Sequence, residues 1–178
     1  MSFNLPVPEL ELLIKFVTLI GALAGGFFAL YQWKHAVKIK RAEFISQIIE
    51  KLRFNEELSN MMNMIDYGED WYDENFHNNR NGFELKIDRL FSYINYVLIL
   101  RKNSIITEIE FECLQYKFNR ICSFHNTQAY LWNIHHFSAA NKSLCSFFEM
   151  VEYAKENGFL PAEFWQHNST YYKKWLNF

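Results

Sequence analysis

The stretch FVTLIGALAGGFFALYQW, residues 16–33, carries no charged side chain over 18 positions. Extended back to Leu12, it includes one charge, Lys15. About twenty helical residues span ~30 Å, the thickness of a bilayer's hydrocarbon core. A lysine near the end of such a span snorkels to the interface. Tyr31 and Trp33 sit where an aromatic belt lies. The stretch predicts a membrane helix, and the remainder of the chain is read outward from it.

A cleavable signal peptide is the competing reading, because Ala22-Leu23-Ala24 has the form of a cleavage site. The region before it holds Glu9 and Glu11 against Lys15, the wrong charge for a signal peptide. The apolar run also continues through Phe27, Phe28, Ala29, Leu30 and Tyr31. An anchor is therefore expected. Lys34, Lys38, Lys40 and Arg41 follow the span closely, so the positive-inside rule places the C-terminal part in the cytoplasm. The expected division is an extracytoplasmic segment at 1–8, a transmembrane helix with a basic extension at 9–41, and a cytoplasmic helical domain at 42–178.

The faces of the first helix differ. At 100° per residue, Glu11, Lys15, Thr18, Ala22, Gly25, Ala29 and Gln32 form one stripe. Leu13, Phe16, Ile20, Phe27 and Tyr31 lie opposite. Gly21-x-x-x-Gly25 and Ala22-x-x-x-Gly26 let helix backbones approach closely. Two readings stay open: packing between the helices of a dimer or small oligomer, or a ring of helices whose stripe faces a pore. Glu11 and Lys15 are four apart and can pair.

Breakers are scarce elsewhere. The only prolines are Pro6, Pro8 and Pro161, and beyond the first helix the only glycines are Gly68, Gly82 and Gly158. Sheet folds need many more turns, so the chain is predicted to be all-α. Half of its 178 residues are apolar and 19% aromatic, enough for a packed core rather than disorder. Lys plus Arg number 18 and Asp plus Glu 20, which argues against a dedicated nucleic-acid binder. Three cysteines at no zinc spacing suit a reducing compartment.

The first helix is expected to run over 9–54. Asn55 would cap a short helix carrying Leu58, Met61, Met62 and Ile65. Residues 66–82 read as a long connection. A third helix over 83–102 carries Ile87, Leu90, Phe91, Ile94, Val97 and Leu98. Thr107 and Glu110 form a capping box that starts a fourth, with Phe111, Leu114, Phe118, Ile121 and Cys122. A fifth follows over 127–140. A sixth starts near Ser143, carries Leu144, Phe147, Phe148 and Val151, and ends at Asn157-Gly158. Pro161 would open a last helix dense in aromatics from Phe164 to Phe178.

No Walker loop, dinucleotide turn, nucleophile elbow or HExxH occurs. One sparse motif does: Arg120 and His125 fit R-x4-H at the end of the fourth helix. In metal-independent HEPN RNases such pairs from two subunits or domains meet in one cleft. The Arg would stabilise charge on the scissile phosphate and the His act as general acid or base. Alternatively, His125 continues the line of Leu114, Phe118 and Ile121 and is structural, favoured by the helix dipole. Adjacent His135 and His136 make a poor metal pair. Glu69, Asp70, Asp73 and Glu74 read as a solvated loop without calcium spacing. No metal or cofactor is expected.

Taken together, the length, the leading single span, the helical domain and Arg120–His125 resemble a known family. It is the small transmembrane HEPN-like accessory protein encoded beside the RNA-guided, RNA-cleaving effector of type VI-B CRISPR loci. The resemblance implies a homo-octameric ring in the bacterial inner membrane. It implies a pore that depolarises the membrane in antiviral defence, depending on that effector, with RNA contact an open question. Ile121 stands where active HEPN enzymes often carry a polar residue, so Arg120 and His125 would be structural. The alternatives are a membrane-tethered RNase using that pair, and a plain membrane-anchored adaptor.

Overall fold

The computed structural model describes residues 7–78 and 82–176, with the backbone alone for 7–10. Most of the expected 1–8 segment, Asn79–Asn81 of the connection and Phe178 lie outside the described residues. Among the described residues the regular structure is all helical: six α-helices and two 3-10 turns. The chain divides into two compact units, one ending at Gln47 and one beginning at Ile48.

The first helix, α1, runs over Val7–Phe54, 48 residues. Its one proline, Pro8, falls in the first turn, where proline is tolerated, and Gly21, Gly25 and Gly26 each weaken a helix by only about 1 kcal/mol, which accounts for that continuity. The segment is long and apolar enough to cross a membrane, a property shared by spans and signal sequences. None of its apolar window is buried within the chain.

The second unit is a bundle of the end of α1 with α2 (Glu56–Asp66), α3 (Phe83–Lys102), α4 (Glu108–Ser123), α5 (His125–Ala140) and α6 (Phe148–Glu156). Asn55 caps α2, its side chain accepting from the Leu58 amide at 3.0 Å. The box at α4 is complete, with Thr107 and Glu110 bonded reciprocally. The apolar stripe of α3 is buried along its whole length, from Ile87 to Leu98. That helix packs on α2, α4 and α6. The end of α6 follows from Gly158, whose φ of 68° suits the left-handed turn. The amides of Gly158 and Phe159 then return to Lys155 and Ala154.

The structure corrects three expectations. First, α4 stops at Ser123 because Phe124 turns extended, at φ −73° and ψ 132°. His125 opens α5 and is not in line with Phe118 and Ile121. Second, α6 begins at Phe148, not near Ser143. A turn after α5 occupies the intervening residues, with Lys142 at φ 53° and the Ser143 amide on the Ser138 carbonyl at 2.9 Å. Leu144 consequently stands 92% exposed.

Third, no helix follows Pro161 among the described residues. Only a 3-10 turn forms, Ala162–Trp165, and an irregular strap continues to residue 176. Side chains of α5 hold this strap in place of helical bonds. Gln128 Nε2 donates to Phe159 O at 2.8 Å, and Trp132 Nε1 to Gln166 O at 3.3 Å. Asn133 Nδ2 donates to Lys173 O at 2.9 Å, while the Trp175 amide donates to Asn133 Oδ1 at 2.8 Å. Phe164 and Tyr172 are the strap's buried pegs.

The connection after α2 is exposed at Glu69, Asp70, Asp73 and Glu74 and at Tyr67, and buried at its three other aromatic residues. Trp71, Tyr72 and Phe76 enter the core, where their rings pack around Tyr130 of α5. His77 ties the connection to α3. Its Nε2 lies 2.9 Å from the Tyr72 hydroxyl and its Nδ1 2.8 Å from Glu84 Oε1.

Candidate functional site

Two sets of residues were singled out by sequence: the stripe on α1 and the pair Arg120–His125. All of Glu11, Lys15, Thr18, Ala22, Gly25, Ala29 and Gln32 lie on α1 and are exposed. Glu11 and Lys15 pair at 2.7 Å. The Thr18 hydroxyl donates to the Ile14 carbonyl at 2.8 Å, so no side-chain donor is left bare there. A Cβ built on Gly21, Gly25 or Gly26 meets nothing within 4 Å, and that space is open to another helix.

Arg120 and His125 do different things. Arg120 sits in the last turn of α4 and reaches the end of α2. Its Nε donates to Asp66 Oδ1 at 3.1 Å and its NH2 group to the Asp66 carbonyl at 2.8 Å. Lys117 Nζ lies 2.6 Å from Asp66 Oδ2. The bonds from Lys117 and then Arg120 hold the Asp66 carboxyl below its ordinary pKa. Asp66 therefore stabilises the fold above its free-chain value, and this is lost as the pH falls through the lower folded value.

His125 is exposed at the first position of α5. It stacks on Tyr172 with centroids 5.8 Å apart and meets Tyr171 edge-on at 5.7 Å. It lines a groove of about 440 Å³ with Asp70, Asp73, Glu74, Tyr171 and Trp175. Arg120 is not among the residues lining that groove. Three carboxylates against Lys173 make its wall acidic, a poor reception for a phosphodiester. Asp70 is also engaged, accepting from Asn126 Nδ2 at 2.6 Å.

A coupling experiment separates a structural Arg120 from a catalytic one. Arg120→Ala is expected to cost about 1 kcal/mol in the full chain, read by denaturant melts in detergent. In an Asp66→Ala background the same change should cost about half as much or less, because the partner is already gone. Equal costs in both backgrounds would detach Arg120 from Asp66.

A larger groove, about 640 Å³, runs along α3 past Lys51, Asp88, Arg89, Tyr93 and Tyr96. Its charged groups are partnered within the chain. Arg89 holds Glu57 at 2.9 Å, Asp88 accepts from Tyr130, and the Lys51 ammonium lies 4.9 Å over the Tyr93 ring. His135 and His136 stand with rings 87° apart. Among the described residues, no three of His, Cys, Asp and Glu are grouped to hold a metal ion. Sequence reading missed the polar face of α5, where Gln128, Asn133 and His136 are buried. The available signal was the density of polar residues on a helix that also carries Ala129, Tyr130, Leu131 and Trp132, since any polar group buried beside them requires a partner.

Comparison with family models, with curated proteins and with solved structures found no match for this chain.

Proposed function

We propose that the chain is a single-pass inner-membrane protein whose α1 helices assemble into a ring and leak ions across the bilayer. It would act as an antiviral effector that assists an RNA-guided RNase. The N-terminus lies outside and the bundle in the cytoplasm. The observation that carries this reading is the full exposure of an 18-residue apolar window on a continuous helix. Water is a poor solvent for that surface, so lipid or copies of the same helix must cover it. The stripe from Thr18 to Gln32 supplies the small and polar side that avoids lipid, and the Phe and Leu residues opposite face the acyl chains. The ring, its eight copies and the link to the RNA-guided effector rest on the resemblance to the type VI-B accessory family.

Two observations favour this over a membrane-tethered HEPN RNase. Arg120 is engaged by Asp66, and His125 stands against an acidic wall. The test is membrane potential, read with a voltage-sensitive dye in cells carrying the protein, its RNA-guided partner and a target RNA. Wild type should depolarise the cells only when target is present. Thr18→Leu and Gly25→Leu should abolish the signal, since each fills lumen or a close helix approach. An unchanged potential, with RNA decay that requires His125, would overturn the pore and install the RNase.

A further inference from the structure

The strap is seated beside three imidazoles. His136 of α5 is buried, with its Nε2 2.9 Å from the carbonyl oxygen of Phe164. Its ring meets that of His135 at 5.2 Å and that of His167, on the strap itself, at 5.7 Å. His135 packs in turn on Phe164 and Trp165, each at 5.7 Å. The 3-10 turn of the strap is thus bracketed by histidines on one side and pegged by Phe164. We propose that His135, His136 and His167 form a proton-sensitive latch, which seats residues 161–176 on α5 when neutral and releases them when protonated.

The charges around the trio decide the sign. From α6, Glu152 favours a proton on His135, and Lys155 lies 5.2 Å over Trp165. From the strap come His167 and the exposed Glu163. Against protonation stand the burial of His136 and the close approach of the imidazole rings to one another. Burial lowers the pKa of His135, and the charge of His136 adds to this. Burial likewise lowers that of His136, which the Phe164 carbonyl opposes and His167 reinforces. A base with a lowered folded-state pKa gives its full stabilisation above the free value near 6.5 and loses it as the pH falls below. Release would bring Phe164 and Tyr172 into solvent, two aromatic rings buried while the strap is seated. The latch stands on the strap's own geometry and does not depend on the pore.

Hydrogen exchange by mass spectrometry tests it on the full chain in detergent, at pH 7.5 and 5.5, corrected for the intrinsic pH dependence of exchange. Protection across residues 161–176 should fall at pH 5.5 while peptides from α3 and α4 stay protected. At pH 5.5, about one unit below the free value, each histidine whose folded pKa is lowered contributes a loss of up to about tenfold. His136→Gln keeps an amide donor for Phe164 O and should shrink the pH step. His167→Asn, at an exposed position, should shrink it too, and keeps the test decisive if the buried variant fails to fold. A strap unchanged between the two pH values, or one lost together with α3 and α4, would overturn the latch. So would an undiminished step in His167→Asn.

Discussion

Asn133→Leu is expected to lower the stability of the chain by about 3 kcal/mol. The reason is the number of groups that one side chain serves. Asn133 is 0% exposed. Its Nδ2 donates to Ala129 O at 3.0 Å and Lys173 O at 2.9 Å, and its Oδ1 accepts from the amides of Trp175 at 2.8 Å and Leu176 at 3.3 Å. Leucine has the same heavy-atom count and branching, so the change leaves no cavity and removes every hydrogen bond of the amide. It strands a carbonyl and two amides of the strap, at about 1–3 kcal/mol for each group that stays buried. The strap escapes part of this by detaching, so the effect should appear first at its end. Trp175 emission should turn solvent-like at denaturant concentrations where the bundle is still folded. A variant as stable as wild type, with one shared transition, would show that the clamp holds nothing.

The bundle was largely legible because its helices announce themselves locally. The stripe of α3 and the box at Thr107 need no distant partner to form, and both stand where the spacing put them. The ends of α4 and α5 were harder. Phe124 and Lys142 do the work of breakers, but neither residue type is one, and hydrogen bonds across the two turns satisfy the freed groups. Gln128 Nε2 takes the Ser123 carbonyl at 3.1 Å and so satisfies the end of α4. The strap was misread for a related cause. Pro161 and the aromatic spacing suited a helix, yet the partners of its backbone are side chains on α5, between 28 and 43 residues earlier in the chain. Sequence periodicity does not carry such pairings.

The candidate site was legible only in part. The Glu11–Lys15 pair follows from an i, i+4 spacing and is present. The relation of Arg120 to His125 did not follow from R-x4-H, because the helix breaks between them. Asp66, the residue that occupies Arg120, lies 54 positions away and nothing local marks it. The aromatic residues of the connection were read with their acidic neighbours as one polar loop. They belong to opposite environments, with Trp71, Tyr72 and Phe76 buried and Asp70, Asp73 and Glu74 exposed. A loop dense in large rings is a candidate core element whatever its net charge, because each ring buries on the order of 150–250 Å².

Tyr130 is where that connection meets the bundle, and Tyr130→Ala should cost about 4 kcal/mol. Its ring contacts those of Trp71, Tyr72, Phe76, His77, Phe91 and Phe147, with centroids between 5.4 and 6.0 Å. Removing it opens a cavity among aromatic side chains that reach it from the connection, from α3 and from the start of α6. Tyr130→Phe keeps the ring and removes only the hydroxyl, which donates to Asp88. Burial raises the pKa of Asp88, and the Tyr130 bond works against that rise by favouring the carboxylate. Without the hydroxyl, the charged form of Asp88 becomes costlier to keep in the fold. The penalty of Tyr130→Phe should therefore be largest at neutral pH, about 1–2 kcal/mol. It should shrink as Asp88 becomes protonated toward acidic pH. Denaturant melts of both variants at two pH values read the two effects separately. A Tyr130→Phe penalty that does not change with pH would mean that the hydroxyl does not support the Asp88 carboxylate. A Tyr130→Ala variant as stable as Tyr130→Phe would mean that the ring does not hold the connection to the bundle.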